Sequence, residues 1–331
     1  MSSTRELTYA AAINEALRIE MRHSDKVILM GEDVGVYGNI FGVTKGLLEE
    51  FGSSRVISTP ISENGFTGAA VGMAMMGYKP VVEIMYMDFV LLALEEIVNQ
   101  AAKIRFISGG KLDVPMVVRI MMNYGPRYTG PQHTQDFTAV LSHVPGLKVV
   151  APSTPYDAKG LLETAIRHER NPIMFVEHSI LYPTKGPVPE GEYFIPIGVS
   201  DVKREGSDVT IVSYSYMTYL ALSAADKLAK EGINATVVDL RTLYPLDRNT
   251  IIEHTKRTGR LVVVAGDVKS YGVSAEVIAT VAEAGIHLEK PPLRVAIPDL
   301  PVPFSPPLVD YVVPNEKSII SAVKEVVKGG G

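Results

Sequence analysis

Residues 81–120 read VVEIM (81–85), YMDFVLLALEEIVNQAAKIRFI (86–107), SGGKLDVP (108–115) and MVVRI (116–120). An apolar run of strand length, Val81–Met85, precedes a helical pattern at Phe89–Ile107 and a second apolar run at Met116–Ile120. A strand, a helix and a strand in this order predict two parallel strands joined by a crossover helix. This stretch therefore predicts an α/β fold.

The same alternation continues on both sides of this unit. It predicts strands at Val27–Met30, Lys148–Val150 and Ile173–Val176, and helices at Tyr9–Arg22, Val43–Phe51, Gly65–Met76 and Pro155–His168. The last helix has a clear start signal, because Thr154 can cap it and Pro155 suits its first position. Such repetition predicts a mainly parallel sheet covered by helices.

A change in composition divides the chain. Residues 182–198 contain four prolines and three glycines, which predicts an ordered, extended linker. The alternation then resumes in a shorter unit, with predicted strands at Val209–Ser213, Thr236–Leu240, Leu261–Ala265 and Arg294–Ile297, and helices at Met217–Lys230, Arg248–Thr255, Ala275–Ala284 and Glu316–Val327. We therefore expect a first domain over residues 1–182, a linker over 183–198 and a smaller C-terminal α/β domain over 199–331.

Composition excludes several classes of protein. The net charge is −5, so no global basic field favours nucleic acid, and the absence of cysteine excludes disulfides and thiolate chemistry. The most apolar region, residues 66–93, is interrupted by Lys79, Glu83 and Asp88 and does not predict a membrane span. The N-terminus lacks the apolar core of a signal peptide. We expect a soluble, cytoplasmic protein without nucleic-acid or membrane partners.

Two acidic positions are candidates for chemistry. Glu32 and Asp33 follow a predicted strand, where ligands of open α/β sheets bind. The surrounding spacing, G-x-x-x-G-x-x-G from Gly31, is not a dinucleotide or P-loop motif. Glu63 lies at the start of a helix, so its carboxylate either only stabilises the helix dipole or serves a site.

Other features have both a structural and a functional interpretation. His133 ends a loop rich in glycine and proline, where a histidine can serve a cleft or be an ordinary loop residue. The other six histidines show no metal-ligand spacing, and we predict no metal site in this chain. Gly68 and Gly72 lie one helical turn apart, which indicates close helix packing or a subunit interface.

A series of motifs in one order resembles the β subunits of the thiamine diphosphate-dependent E1 component of 2-oxo acid dehydrogenase complexes. The motifs are Gly31–Val34, Thr59–Phe66, Ala69–Gly72, Glu83–Phe89, Asn99–Lys103, Gln132–Gln135, Pro145–Ser153, Asp157–Leu162 and Asp239–Asp247. The resemblance runs from about residue 4 to about residue 328. It implies a transketolase-like fold, whose first domain binds the aminopyrimidine ring of the cofactor.

The resemblance also implies roles for individual residues. Glu63 would hydrogen-bond the pyrimidine N1′, Glu32 would join a proton relay, and Phe89 would pack against the ring. His133 would act near the reaction centre, during acyl transfer to a lipoyl group. Glu95-Glu96 departs from the Asp-Gln that family members often have.

The family implies partners as well. E1 enzymes of this type contain two α and two β subunits, the α subunit holds the diphosphate and Mg²⁺, and the acyl group passes to the E2 lipoyl acyltransferase. The metal–diphosphate motif of the family is Gly-Asp-Gly followed later by Asn. Its nearest match here, Gly266-Asp267-Val268, lacks the third glycine. The chain is thus expected to carry half of an active site and to contact a second β subunit through the Gly68–Gly72 face.

Three functions stay open at this point. The main one is oxidative decarboxylation of pyruvate or a branched-chain 2-oxo acid. Cleavage of acetoin with the same cofactor is a close alternative, because the substrate pocket is shared with the α subunit. A non-catalytic docking subunit is a third, and the presence of both Glu63 and His133 argues against it.

Overall fold

The predicted alternation of strands and helices is present in the computed structural model, which describes residues 4–328. The main chain forms two units, each described separately below. The first comprises the residues up to Met122 together with Val140–Ile197, and the second comprises Asn123–Ala139 and the residues from Gly198 onward.

The first unit is built on a parallel sheet. Its strands are β1 (Thr4–Thr8), β2 (Val27–Gly31), β3 (Val56–Ser58), β4 (Lys79–Ile84), β5 (Val117–Met122), β6 (Lys148–Val150), β7 (Ile173–His178) and β8 (Lys185–Pro189). Strands β6, β7, β5, β4, β2 and β3 are adjacent in that order, and each neighbouring pair is parallel. Every residue of β2, β5 and β7 is buried. This accounts for the continuous apolar runs, since a parallel sheet is covered on both faces.

Helices α1 (Tyr9–His23), α2 (Leu47–Phe51), α3 (Glu63–Met75), α4 (Ala102–Ile107), α5 (Thr138–Ser142) and α6 (Pro155–Arg167) follow in chain order. The predicted start of α6 is confirmed, because the Thr154 hydroxyl accepts a hydrogen bond from the Asp157 backbone N–H at 3.1 Å. The predicted linker contains β8, which pairs antiparallel with β1. Residues 185–189 of this segment are therefore extended, while its role as a linker stays a prediction.

Two predicted helices differ from the structure. The segment predicted as one helix at Phe89–Ile107 is a 3₁₀ helix over Met87–Ala93, a π-helix over Glu95–Ala101 and then α4. Apolar periodicity does not distinguish these hydrogen-bond registers, which explains the error. The helix predicted at Val43–Phe51 begins only at Leu47, because Gly46 before it has a left-handed φ of +83°.

A buried ion network joins the inner strands of this sheet. The Arg119 guanidinium donates to Glu83 at 2.6 Å and to both oxygens of Glu177 at 2.6 and 2.9 Å. The Tyr182 hydroxyl donates to Glu177 at 2.9 Å, and the Asn39 amide donates to Glu83 at 2.8 Å. The network thereby ties the loop after β2 to strands β4, β5 and β7.

The second unit is a smaller α/β unit. Its strands are β9 (Asp201–Arg204), β10 (Val209–Ser213), β11 (Ala235–Asp239), β12 (Thr242–Tyr244), β13 (Leu261–Val268) and β14 (Leu293–Ile297). Its helices are α7 (Ser215–Lys230), α8 (Arg248–Thr258), α9 (Val273–Glu283), α10 (Pro306–Val312) and α11 (Glu316–Lys328). Strands β14, β13, β10, β11 and β9 form one sheet, in which only β9 is antiparallel to its neighbour. Strands β9 and β12 and helix α10 are additions to the predicted set.

The helices are those of a globular α/β protein in length and polarity. Among residues 4–328, none is long and apolar enough to cross a membrane.

Candidate active site

Glu63 is the first residue of helix α3, as its position after Ser62 predicts. Ser62 makes no side-chain cap, so the backbone donors of the first turn remain available to a carboxylate or a ligand. The residue is only 6% exposed. Within residues 4–328, no group hydrogen-bonds its carboxylate. A glutamate that is largely buried and whose carboxylate has no hydrogen-bond partner in the described part of the chain marks a candidate ligand position.

Glu32 follows strand β2 directly, at the carboxyl end of the parallel sheet. Strand β2 approaches β4 so closely there that a Cβ on Gly31 would lie 2.6 Å from the carbonyl oxygen of Glu83. The Glu32 side chain is half-buried, and its buried Oε1 has no hydrogen-bond partner in the described part of the chain.

The negative charge of Glu63 affects the pKa of Glu32. Burial raises the pKa of Glu32 above its ordinary value, and the negative charges of Glu63 and Asp33 raise it further. Glu32 therefore holds a proton more readily than an isolated glutamate, and Glu63 lies close enough to contribute to that effect.

Phe89 belongs to the 3₁₀ helix that packs against α3. Its ring is half-buried and meets the ring of Tyr86 edge-on, with centroids 6.1 Å apart and planes at 84°. The first unit therefore carries Glu63 on α3, Glu32 at the end of β2 and Phe89 on the 3₁₀ helix that packs against α3.

His133 is in the second unit, in the loop of residues 123–139. Its backbone N–H donates to the Gly130 carbonyl at 3.2 Å, and its own carbonyl accepts from the Thr129 hydroxyl at 3.3 Å. The imidazole is half-buried. Of the four predicted site residues, three thus belong to the first unit and His133 to the second.

Sequence reasoning missed other polar atoms in the first unit. Buried side-chain oxygens of Thr59, Thr67 and Glu96 have no hydrogen-bond partner within residues 4–328. The sequence does mark Glu96, because Glu95-Glu96 departs from the Asp-Gln that family members often have. Its Cγ would lie 3.3 Å from a Cβ on Gly68, so this glycine makes room for Glu96 within the same chain.

Nothing described lies within 4 Å of a Cβ on Gly72. A contact of this face with a second β subunit stays a prediction.

Both parts of the chain match families of known domains. Residues 5–185 match the transketolase pyrimidine binding domain, and residues 198–319 match the transketolase C-terminal domain. A solved structure described as a split-gene transketolase, an inactive β4 tetramer, has the same fold, with a TM-score of 0.79. It covers 97% of this chain and 99% of its own at 22% identity. These matches confirm the transketolase-like fold class.

Relatives with assigned activities are similar over nearly the whole length. The pyruvate dehydrogenase E1 β subunit of Rickettsia felis is 46% identical and covers 97% of this chain and 98% of its own. The β subunit of the acetoin:2,6-dichlorophenolindophenol oxidoreductase of Cupriavidus necator is 44% identical, covering 98% and 99%. The 2-oxoisovalerate dehydrogenase β subunit of Bacillus subtilis is 42% identical, covering 97% and 99%.

The chain therefore belongs to the family of E1 β subunits of 2-oxo acid and acetoin dehydrogenase complexes. This confirms the resemblance on which the expected roles depend. The family is thiamine diphosphate-dependent, and its β subunits function with an α subunit.

Proposed function

We propose that this chain, with an α subunit, oxidatively decarboxylates a 2-oxo acid, pyruvate or a branched-chain one, and passes the acyl group to the lipoyl group of an E2 acyltransferase. The observation that carries the proposal is Glu63 at the start of α3, which is only 6% exposed and whose carboxylate has no hydrogen-bond partner among residues 4–328. A folded protein does not bury such a group without compensation, and a ligand nitrogen would provide it.

The residues fit the aminopyrimidine half of thiamine diphosphate. When bound, that cofactor supplies the carbon nucleophile that attacks the 2-oxo carbon. Glu63 holds a proton toward the pyrimidine N1′, and Glu32, with its raised pKa, serves as the neighbouring proton store. Phe89 offers an apolar wall that packs against the ring and excludes water.

His133 acts later, when the acyl group passes to the lipoyl thiol. Histidine is a common general acid and base in catalysis. Its place in the second unit gives each unit its own part of the chemistry.

The α subunit completes the site in this proposal. It holds the diphosphate and Mg²⁺, whose oxygen ligands we do not find as a motif in this chain. The assembly contains two α and two β subunits, with the Gly68–Gly72 face of α3 at the β–β contact. Gly72 has open space beside it, which supports that choice.

The 2-oxo acid and acetoin activities are separated only by experiment. Relatives of the pyruvate, branched-chain and acetoin types are 46%, 42% and 44% identical to the chain. Such similar values do not select a substrate. Acetoin cleavage is therefore the second candidate, while the unpartnered Glu63 argues against a purely docking role.

Reconstitution with the α subunit tests the proposal. Decarboxylation of pyruvate and branched-chain 2-oxo acids, and cleavage of acetoin, are measured with thiamine diphosphate and Mg²⁺, first with an artificial acceptor and then with a lipoyl domain. We expect turnover of one substrate class only when both subunits are present. An assembled, cofactor-loaded pair that turns over none of these substrates contradicts the proposal.

A further inference from the structure

The Gly266-Asp267-Val268 segment has a use unrelated to the metal–diphosphate motif it resembles. It lies at the end of strand β13 in the second unit, together with residues 123–139, the loop that carries His133. A Cβ on Gly266 would lie 1.9 Å from the hydroxyl oxygen of Tyr124 and 2.0 Å from its Cζ. Only glycine therefore lets the fully buried Tyr124 ring rest on this strand.

A second contact holds the other end of the loop. The Tyr214 hydroxyl, just before helix α7, donates to the Asp136 carboxylate at 3.2 Å and lies 3.4 Å from the hydroxyl of Thr138. The backbone N–H of Thr138 donates to the other Asp136 oxygen at 2.8 Å. Since His133 lies between Tyr124 and Asp136, both contacts restrict where its imidazole can be.

A third contact supports the middle of the loop. The Thr134 hydroxyl is buried and donates to the Gly130 carbonyl at 2.8 Å. Gly130 has a left-handed φ of +82°, and a Cβ there would lie 3.5 Å from the ring of Phe304 in the same unit. The turn that contains His133 therefore packs near Phe304, which is distant in sequence.

The buried carboxyl group of Asp267 also acts on this loop through its charge. One of its oxygens accepts from the Val273 backbone N–H at 2.6 Å, and the other is buried without a partner in the described part of the chain. Burial raises the pKa of Asp267, and the charge of Asp136 raises it further. Burial likewise raises the pKa of Asp136. The two acids therefore resist ionising together.

The groups that face this pair come from several elements. Tyr124 is on the loop itself, Tyr214 is just before α7, and Arg294 is on strand β14, while Tyr216, at the start of α7, faces Tyr124. All three tyrosines have raised pKa values, mainly through burial, and remain neutral around pH 7. Arg294 is the cation that opposes the rise in the pKa of Asp267. Among the described residues, Arg294 is thus the cation that acts on Asp267. Asp136 and Asp267 keep a proton more readily than isolated carboxyl groups.

We propose that Tyr124, Tyr214 and the Gly266-Asp267 segment are positioning residues for His133, holding its loop onto the second unit. The proposal rests on the proposed function for its catalytic consequence, while the position of His133 is a physical property that can be measured separately. With the loop held, the imidazole stays oriented. With both acids ionised, their repulsion loosens the loop.

Histidine-selective NMR of the full chain tests the positioning. The His133 signal is identified by its loss in His133→Ala. We expect Tyr214→Phe to shift or broaden it, because the variant removes only the hydroxyl that holds Asp136. Tyr219→Phe is the matched control, since Tyr219 lies on the same helix and is 53% exposed. A folded Tyr214→Phe with an unmoved His133 signal overturns the proposal.

The pH profile separates positioning from general structural damage. In the native chain, the His133 signal should follow a second titration besides that of the imidazole, as the acid pair loses its last proton. Asp267→Asn keeps the shape and removes the charge, so it should abolish that second titration and leave the low-pH spectrum unchanged. Persistence of the titration in Asp267→Asn overturns the assignment to this pair.

The catalytic consequence is measured in the assembled enzyme. Tyr214→Phe should reduce lipoyl-coupled transfer about 5- to 10-fold, the factor for one hydrogen bond, and decarboxylation with an artificial acceptor much less. In a His133→Ala background the same substitution should have no further effect on transfer. A further loss there overturns the proposal. If His133→Ala alone leaves transfer intact while Tyr214→Phe moves the NMR signal, the proposed role of His133 fails and the positioning stands.

Discussion

Two sets of buried carboxylates in the first unit differ in what neutralises them. Glu83 and Glu177 flank Arg119 and use its guanidinium, the Tyr182 hydroxyl and the Asn39 amide as donors. The pKa of Arg119 is raised, since the two carboxylates outweigh the effect of its burial. Every charge in that set has a partner within the fold.

Among residues 4–328, Glu32 and Glu63 have no comparable partner. The neighbouring charge is Asp33, another acid, and the rise in the pKa of Glu32 comes from burial and from the charges of Glu63 and Asp33. The comparison teaches that burial alone does not identify a site, because Glu63 is buried just as Glu83 and Glu177 are. A missing counter-charge does, since the fold leaves that free energy for a ligand to recover.

The largest expected effect is on catalysis. Glu63→Gln in the assembled enzyme should lower turnover by ~10²–10⁴-fold, the usual range for a group that moves a proton. The amide retains the size of the side chain, so assembly should be unchanged. Turnover with an artificial acceptor and the sedimentation of the complex are the two measurements.

Glu49→Gln is the matched control for that substitution. Glu49 also lies in the first turn of a helix, α2, and is exposed to solvent. Its replacement should leave turnover within about two-fold, as expected for a solvated surface carboxylate. Near-normal turnover in Glu63→Gln would reduce Glu63 to a residue that merely stabilises the start of its helix.

The next effect is on stability. Arg119→Met removes the one cation between Glu83 and Glu177 and should lower the free energy of unfolding by about 3–5 kcal/mol. Urea denaturation of the full chain measures it. Arg18→Met is the control, because Arg18 pairs with Glu50 at the surface and should contribute less than about 1 kcal/mol.

Some variants of Arg119 can fail to fold, and Arg119→Lys then serves instead. Lysine keeps the charge but cannot donate to both carboxylates in the planar geometry of the guanidinium. We expect a loss between those of Arg18→Met and Arg119→Met. Equal stability of Arg119→Lys, Arg18→Met and the native chain would contradict the view that this set is structural.

Much of the fold was predictable because burial imposes a pattern on the chain. Strands covered on both faces are mostly apolar, which made β2, β5 and β7 visible despite Arg119 in β5 and Glu177 in β7. The short strand β3 and the proline-containing β8 carry no such pattern, and β8 is held by pairing with β1. The predicted domain boundaries stay a prediction.

The candidate site was predictable in part. Helix-start signals led to the prediction for Glu63, and motif order led to those for Phe89, Glu32 and His133, whose roles stay predictions. Nothing local in the sequence associates residues 123–139 with strand β13, since the Tyr124–Gly266 contact joins positions far apart in the chain. The pairing of Arg119 with Glu83 and Glu177 was also invisible, because charge patterns do not show which acids receive a cation.

Cofactor binding by the isolated chain sharpens the comparison further. An aromatic contact and one hydrogen bond to the pyrimidine are worth about 2–3 kcal/mol together. Association loses ~4 kcal/mol or more in freedom of motion. Isothermal titration of the β subunit alone with thiamine diphosphate and Mg²⁺ should therefore detect no binding, and adding the α subunit should restore it. Micromolar binding by the β subunit alone would show a diphosphate anchor within this chain.

The smallest expected effect is the pH dependence that Glu32 imposes on stability. Its pKa is raised in the folded state, so between the unfolded and folded pKa values the native state binds more protons than the unfolded state. The free energy of unfolding therefore falls as pH rises through that window. Glu32→Gln removes this loss and should stabilise the chain at pH 7 but not below the ordinary glutamate pKa of about 4.3. Because the group is partly exposed, the gain should stay below about 1 kcal/mol.

Thermal unfolding at several pH values measures that gain, and a second substitution tests its origin. After burial itself, the charge of Glu63 contributes most to the raised pKa of Glu32. In a Glu63→Gln background, the pH-dependent gain from Glu32→Gln should therefore shrink, while Glu49→Gln should leave it unchanged. An equal gain in both backgrounds would mean that burial alone acts on Glu32. The two acids would then not form a proton-sharing pair, and the contrast with the Arg119 network would reduce to a difference in solvation.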